Sequence, residues 1–520
     1  MNETEITSLI PIGVALVLSL TTRNVIVGLF TGVLAGVLMI NGPQPFAALG
    51  IMVKSHLIPE LTDSYNAGVL VLLAFIGGFV ALVEQSGGGA AFARRINHWV
   101  KTPMQAQIAA WLGGISIFFS DLGTPLIVGP VFRPLMDRLK VSRQKLAYII
   151  DSTASPVAIL VPFIGWGVYI MSLIYQEYEA LGIEESEFTA FVLTIPFQLY
   201  AWLAVLMVPL LAVLRLDFGA MAKVEQAGAK TVNVGSAIAA KGQITNEQKE
   251  EAGHSSIDQV KTFTHPNAKP IFVWGPLLVM ASVLAIMLVP LGFPLDQVSG
   301  TDFRAGLSTS YFFAAVFLIA LMSIYKVRGV LSSVDIYLKG VSGMMLVAIT
   351  LLLAWALSDI GRELGAAEYI AEVAKAGLPG WMFPMVAFLL SAIISFATGS
   401  SWGTFAIMLP LVIPTAYEIE APMYACIGAV LSGGLFGDHS SPISETTILA
   451  STGASCPQIE HFRTQLPYAL FNGGISLVGF AIAGITGYSG SVIVVIATQI
   501  VGLIIIKKMQ VNAALAVGSK

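Results

Sequence analysis

Apolar runs of bilayer length recur from one end of this chain to the other, and that restricts its fold more than any other feature. A bilayer interior offers backbone amides no water, so each crossing segment must satisfy its own hydrogen bonds as helix. About 20 apolar residues suffice for one crossing. Such runs lie near 6–22, 24–41, 66–86, 146–176, 189–213, 270–290, 309–326, 341–359, 422–455, 464–486 and 490–507. Only 11% of the 520 residues are charged, roughly half the fraction of a soluble domain. The expectation is an all-α polytopic membrane protein with about 11 transmembrane helices, embedded in a lipid bilayer. A net charge of −4 gives nucleic acid no basic surface to bind. Met1–Thr7 lacks the basic start of a cleaved signal, so the first run reads as a retained helix. The two cysteines, Cys426 and Cys456, have no metal-binding spacing.

Two other apolar segments behave differently. The segment at 105–133 lies between two basic loops, one with Arg94, Arg95 and Lys101, the other with Arg133, Arg138, Lys140, Arg143 and Lys145. Basic loops favour the cytoplasm, so this segment must enter and return. Its middle, Phe119-Ser-Asp-Leu-Gly-Thr-Pro125, breaks a helix. Arms of about 10–15 residues are too short to cross alone. The expectation is a re-entrant helical hairpin. The segment at 380–415 has the same form, broken at Thr398-Gly-Ser-Ser-Trp-Gly-Thr404, and its acidic flank, Tyr417-Glu-Ile-Glu420, implies entry from the opposite face. With both segments as hairpins, lysine and arginine place the N-terminus outside. The loops 177–188, 291–308 and 360–379 are then also outside. The 214–269 stretch, the basic loop 326–340 and the C-terminus are inside.

The two hairpins are related. Gly123-Thr124, Pro130 and Pro134 match Gly403-Thr404, Pro410 and Pro414 at a constant offset of about 280 positions. Asp151-Ser-Thr-Ala-Ser-Pro156 resembles Asp438-His-Ser-Ser-Pro442, and Gly89-Ala-Ala resembles Gly365-Ala-Ala. An internal repeat follows. Each copy holds an odd number of spans, so the second is inverted relative to the first, a plan that recurs in secondary transporters. The expected organisation is a first repeat at 1–213 with a broken helix at 146–176, and a hydrophilic cytoplasmic linker at 214–269. A second repeat follows at 270–486 with a broken helix at 422–455, then an extra helix and tail at 487–520.

Four polar breaks carry the chemistry: Ser120–Thr124, Asp151–Ser155, Thr398–Thr404 and Asp438–Glu445. Breaking a helix frees backbone groups, and freed carbonyls, hydroxyls and carboxylates suit hard cations. The candidate ion- or substrate-binding residues are Asp438, Glu445, Asp151, Asp121, Ser441, Ser444, Ser440, His439, Thr124, Ser152, Thr153, Ser155, Ser400, Ser401 and Thr404. A Na⁺ site at Asp438, Ser441, Asp151 and Asp121 is the working assignment. No lysine or arginine lies within 105–132, 146–176, 380–415 or 422–455, which leaves His439 as the sole candidate base. Such a site attracts Na⁺ or H⁺ and can exchange them, because both relieve a desolvated carboxylate. Glu445 is expected about two turns past Asp438 on a continuing helix. Glu84 and Asp359, at span ends, read as ordinary interfacial charges.

The blocks Gly437-Asp-His-Ser-Ser-Pro-Ile-Ser-Glu-Thr-Thr447, Thr398-Gly-Ser-Ser-Trp-Gly-Thr-Phe-Ala-Ile-Met-Leu-Pro410 and Ser120-Asp-Leu-Gly-Thr-Pro125 together resemble the NhaC-type Na⁺/H⁺ antiporter family of the ion transporter superfamily. The resemblance implies Na⁺ and H⁺ as transported or coupling ions and no cofactor. It also implies a bacterial inner-membrane location and a homodimer with elevator-like movement of the hairpins. Its alternative is Na⁺- or H⁺-coupled transport of a small organic acid or amino acid. Enzyme chemistry has no support. An intramembrane aspartyl protease needs Gly-x-Gly-Asp, and this chain has Gly434-Leu-Phe-Gly437-Asp438.

Overall fold

The chain folds into helices that stop where proline, glycine and hydroxyl residues interrupt the apolar runs. The computed structural model describes residues 6–42, 44–97, 100–226, 263–292, 299–377 and 379–518, and among these there is no strand. Most of the expected linker, 227–262, lies outside the described residues, as does part of the 291–308 loop, at 293–298.

Seven helices are long and apolar enough to cross a membrane, or nine when two bent pairs each count as one span. The eleven expected spans are therefore reduced, for identifiable reasons. Six appear as expected: Ser64–Glu84, Ile271–Leu291, Gly300–Ile324, Val330–Glu363, Gln458–Thr486 and Ser491–Asn512. The run at 24–41 forms a bent pair with Pro45–Thr62, and Glu187–Phe197 bends by 50° into Leu199–Leu214. Ile6–Thr22 is apolar but shorter. The runs at 146–176 and 422–455 are cut into pieces too short to qualify. The basic stretch expected as a loop at 326–340 is instead helical from Val330 onward, since nothing there breaks a helix before Gly340.

Both hairpins form. The first has arms Pro103–Ile115 and Gly123–Arg138. Its start is fixed by a capping box, in which Thr102 accepts from Gln105 N while the Gln105 side chain reaches back. The second has arms Phe383–Thr398 and Ser401–Glu418, joined through Gly399 at φ +68°. Its first arm, extended to Gly380, reaches crossing length, which the sequence reading did not anticipate.

The broken helices complete the site region. The first runs Arg143–Ser152, Ser155–Ala158 and Gly165–Leu181. Pro156 has no N–H to return to the Ser152 carbonyl, which ends the first piece. The second runs Met423–His439 and Glu445–Ala454 around Pro442. Each hairpin's returning arm packs between pieces of both broken helices. Gly123–Arg138 lies against Arg143–Ser152 and Glu445–Ala454; Ser401–Glu418 lies against Met423–His439 and Gly165–Leu181. The long helix Gln458–Thr486 touches Arg143–Ser152, Met423–His439, Glu445–Ala454 and Phe383–Thr398.

Candidate functional site: two buried aspartates at helix breaks

Asp151 closes the first piece of the first broken helix, and Asp438 closes the first piece of the second. Helix ends expose unpaired carbonyls, so hydrogen-bonding side chains gather here. Asp151 is 1% exposed and Asp438 5%, and their carboxylates lie close enough to repel one another.

Asp151 is held from three directions through a single oxygen. Its Oδ2 accepts from Gln465 Nε2 at 2.7 Å and from Thr447 Oγ1 at 3.1 Å, and lies 3.3 Å from His461 Nε2. His439 Nε2 stands 3.9 Å away. Asp151 Oδ1 is buried and has no hydrogen-bond partner. Gln465 Nε2 also donates to the His439 carbonyl at 2.6 Å, so one amide ties both breaks together. His439 Nδ1 is 2.8 Å from the Tyr200 hydroxyl, and its Nε2 is 3.4 Å from Ser152 Oγ. Asp438 has fewer partners: Thr446 Oγ1 donates to its Oδ2 at 3.3 Å, and Ser444 Oγ is 3.0 Å from Thr446 Oγ1.

The remaining expected residues divide between site and scaffold. Ser441 Oγ donates to Phe396 O at 2.7 Å, fastening the second break to the second hairpin. Ser440 Oγ donates to Phe436 O at 2.6 Å, and Thr153 Oγ1 to Ile149 O at 2.8 Å. Ser155 is buried with an unpartnered hydroxyl. At the second hairpin tip, Ser400 Oγ caps Gly403 N at 3.3 Å, Thr404 Oγ1 donates to Ser400 O at 2.8 Å, and Ser401 Oγ reaches Gly434 O at 3.3 Å. At the first tip, Thr124 Oγ1 donates to Ser120 O at 2.9 Å.

Two expectations are corrected here. Glu445 is not on a continuation of the Asp438 helix. The chain breaks at 440–444, and Glu445 begins a new helix behind the Ser444 cap, with its side chain exposed. His439 is not the sole base: His461 touches Asp151, and buried Lys145 ion-pairs with Asp217 one shell away. Asp121 is at the first hairpin tip, partly exposed and within electrostatic range of Asp438, Glu445 and Glu84. Among the described residues, no three histidine, cysteine or acidic side chains form a metal-holding group.

Sequence reasoning missed four contributors. Glu84 accepts from Ser120 Oγ at 2.6 Å, so it belongs to the first hairpin tip rather than to an interface. His461 and Gln465 lie one turn apart on the same helix face, an i, i+4 signal that straddles the start of the expected span at 464–486. Tyr200 gave no local signal, because only the packing of Leu199–Leu214 on Met423–His439 brings it to His439.

Comparison with known proteins agrees with this architecture. Residues 157–485 match the model of the Na⁺/H⁺ antiporter family. The chain is 32% identical to an uncharacterized protein of Haemophilus influenzae across 93% of its own length and 91% of that protein. A shorter stretch is 39% identical to the arginine/ornithine antiporter ArcD of Halobacterium salinarum, covering 21% of this chain and 22% of ArcD. Its fold resembles the YdaH transporter of Alcanivorax borkumensis, with a TM-score of 0.55 at 13% identity over 85% of this chain and 90% of that one. The chain is a multi-pass membrane protein and belongs to the Na⁺/H⁺ antiporter family.

Proposed function

We propose that this protein exchanges Na⁺ for H⁺ at the site formed by Asp151 and Asp438, with the two broken helices meeting there and a hairpin tip beside each. One observation carries the reading: two buried aspartates at the two helix breaks lie within electrostatic range of each other among hydroxyl, imidazole and amide groups, and no lysine or arginine among the described residues pairs with either. Burying a carboxylate without a counter-charge is costly. A proton or a Na⁺ each removes that cost, and neither leaves room for the other. Competition of this kind is sufficient for antiport. The pseudo-symmetric packing of each hairpin against both broken helices supports two inverted repeats, in which the site can open to either side in turn.

The test is dye-reported proton movement in proteoliposomes on adding Na⁺. Competition for one carboxylate makes the Na⁺ concentration for half-maximal exchange rise about tenfold per unit fall in pH, below the point where the free carboxyl protonates. Absence of Na⁺-driven proton movement over a broad pH range would exclude the reading. The ArcD likeness favours a second reading, Na⁺- or H⁺-coupled exchange of an amino acid, whose ammonium group could use Asp438 or the exposed Glu445. A thermal-shift screen of amino acids with and without Na⁺ separates the two, since only the second predicts a Na⁺-dependent organic hit.

A further inference from the structure

We infer that Gln465, on the long helix outside both hairpins and both broken helices, is itself a cation ligand, and that it shares the ion with the free oxygen of Asp151. The inference rests on the Na⁺/H⁺ reading and assigns a residue to it.

The argument starts from which atoms are already used. Gln465 donates through Nε2 to Asp151 Oδ2 at 2.7 Å and to the His439 carbonyl at 2.6 Å. Both amide protons are thereby committed. That fixes the orientation of the amide, because its oxygen cannot take the position of a group donating to a carboxylate and a carbonyl. The remaining Oε1 is buried and has no partner. Asp151 is in the same situation. Its Oδ2 takes the available donors, while its Oδ1 is buried and unpartnered. Gln465 is 1% exposed and Asp151 1%. Buried polar atoms are paired in the great majority of cases, and an unpaired one costs about 1–3 kcal/mol. Here two acceptors are left open on two side chains that are hydrogen-bonded to each other. The open oxygens each sit one carbon away from the two atoms of that 2.7 Å bond.

Two neighbouring acceptors without donors are what a cation needs and what a further protein donor would have filled. The Ser152 carbonyl, deprived of its helix partner by Pro156, adds a neutral oxygen next in sequence to Asp151. Asp151 supplies the only formal charge in this set. One carboxylate with neutral oxygens balances a monovalent hard cation such as Na⁺; a divalent ion draws on more carboxylates and holds more oxygens. Ser441 Oγ, by contrast, both donates to Phe396 O and accepts from Ile443 N, and Asp121 is at the first hairpin tip. The ion is therefore drawn toward the helix Gln458–Thr486, which touches pieces of both broken helices at once.

The test uses the full-length protein in detergent and in proteoliposomes, with Na⁺ as probe and choline as control. In Gln465→Asn the amide oxygen is withdrawn by one methylene. The expected result is a rise of about 10–100-fold in the Na⁺ concentration giving half-maximal thermal stabilisation and half-maximal exchange. Gln465→Glu keeps an oxygen at the position and adds a charge, so Ca²⁺ is expected to stabilise this variant and not the wild type. It also serves as the test if Gln465→Asn fails to fold. Unchanged Na⁺ dependence in Gln465→Asn, or unchanged cation preference in Gln465→Glu, overturns the role of Gln465 while leaving wild-type exchange intact. Loss of Na⁺ stabilisation and exchange in the wild type would instead reject the Na⁺/H⁺ reading itself.

Discussion

Asp438 and Asp151 share a residue type and a position at a helix end, yet their surroundings give them different work. Asp151 is clamped through one oxygen by Gln465, Thr447 and His461. Asp438 is met by the hydroxyls of Thr446, at 3.3 Å, and Ser444, without the amide and imidazole that hold Asp151, and is the freer of the two to change partners. Asp438→Asn is nearly isosteric and removes one of the two carboxylates of the proposed exchange site. It is expected to abolish Na⁺-dependent proton movement, with membrane insertion and thermal stability close to wild type. Retention of exchange in that variant would show that Asp438 does not carry the ion. Asp151→Asn can keep its amide oxygen where Oδ2 accepts its donors and place its NH2 where Oδ1 has no partner. Exchange should be lost while the melting temperature in detergent stays close to that of the wild type, and retained exchange would show that the Asp151 charge is not used.

Among the elements, the second hairpin depends on one backbone conformation. Gly399 adopts φ +68° between the two arms, and a Cβ there would lie 2.7 Å from the Ile443 carbonyl oxygen. Gly399→Ala therefore meets both a left-handed backbone penalty of about 1–2 kcal/mol and a clash with the second helix break. It should lower the melting temperature and slow exchange; an unchanged melting temperature would mean that the tip is not held as described. The returning arm of the first hairpin meets Glu445–Ala454 equally closely. A Cβ on Gly129 would stand 2.4 Å from Gly453 C, and one on Gly453 would stand 2.2 Å from Pro125 O. Gly129→Val forces these helices apart, at a cost of about 1–3 kcal/mol from overpacking. Because that crossing packs the first hairpin against the second broken helix, turnover should fall more than Na⁺ affinity does. The measurement is maximal rate against half-saturating Na⁺ in the same vesicles.

At the scale of the whole molecule, the proposed orientation follows from basic loops and from treating both hairpins as re-entrant. It puts the N-terminus outside and the Lys507/Lys508 tail inside. A cysteine at Glu184, on the acidic loop, should react with an impermeant maleimide added to intact cells. One at Lys507 should react only after permeabilisation, in a background with Cys426 and Cys456 replaced by alanine. The reverse pattern would require one of the hairpins to cross completely. The second hairpin is the one to watch, since its first arm is long enough to span.

The sequence by itself determined the class, the hairpins, the helix breaks and the two aspartates. Each of these depends on local chemistry: apolar run length, the missing proline N–H, glycine at a left-handed position, and the high cost of charge in an apolar run. Gly123-Thr124 and Gly403-Thr404 both lie in the first turns of the returning hairpin arms. Tertiary structure decided what local pattern does not encode. The number of full spans fell because continuity across 146–176 and 422–455 depends on where backbone bonds can be completed, not on hydropathy alone. Glu445 is exposed although it lies in the most distinctive motif, because the break at 440–444 redirects the helix that carries it. Glu84, Tyr200, His461 and Gln465 joined the candidate site only through packing between elements distant in sequence. Asp151 and Gln465 are 314 positions apart and 2.7 Å apart in space, and hydrogen bonds of that kind are fixed by the fold rather than by sequence spacing.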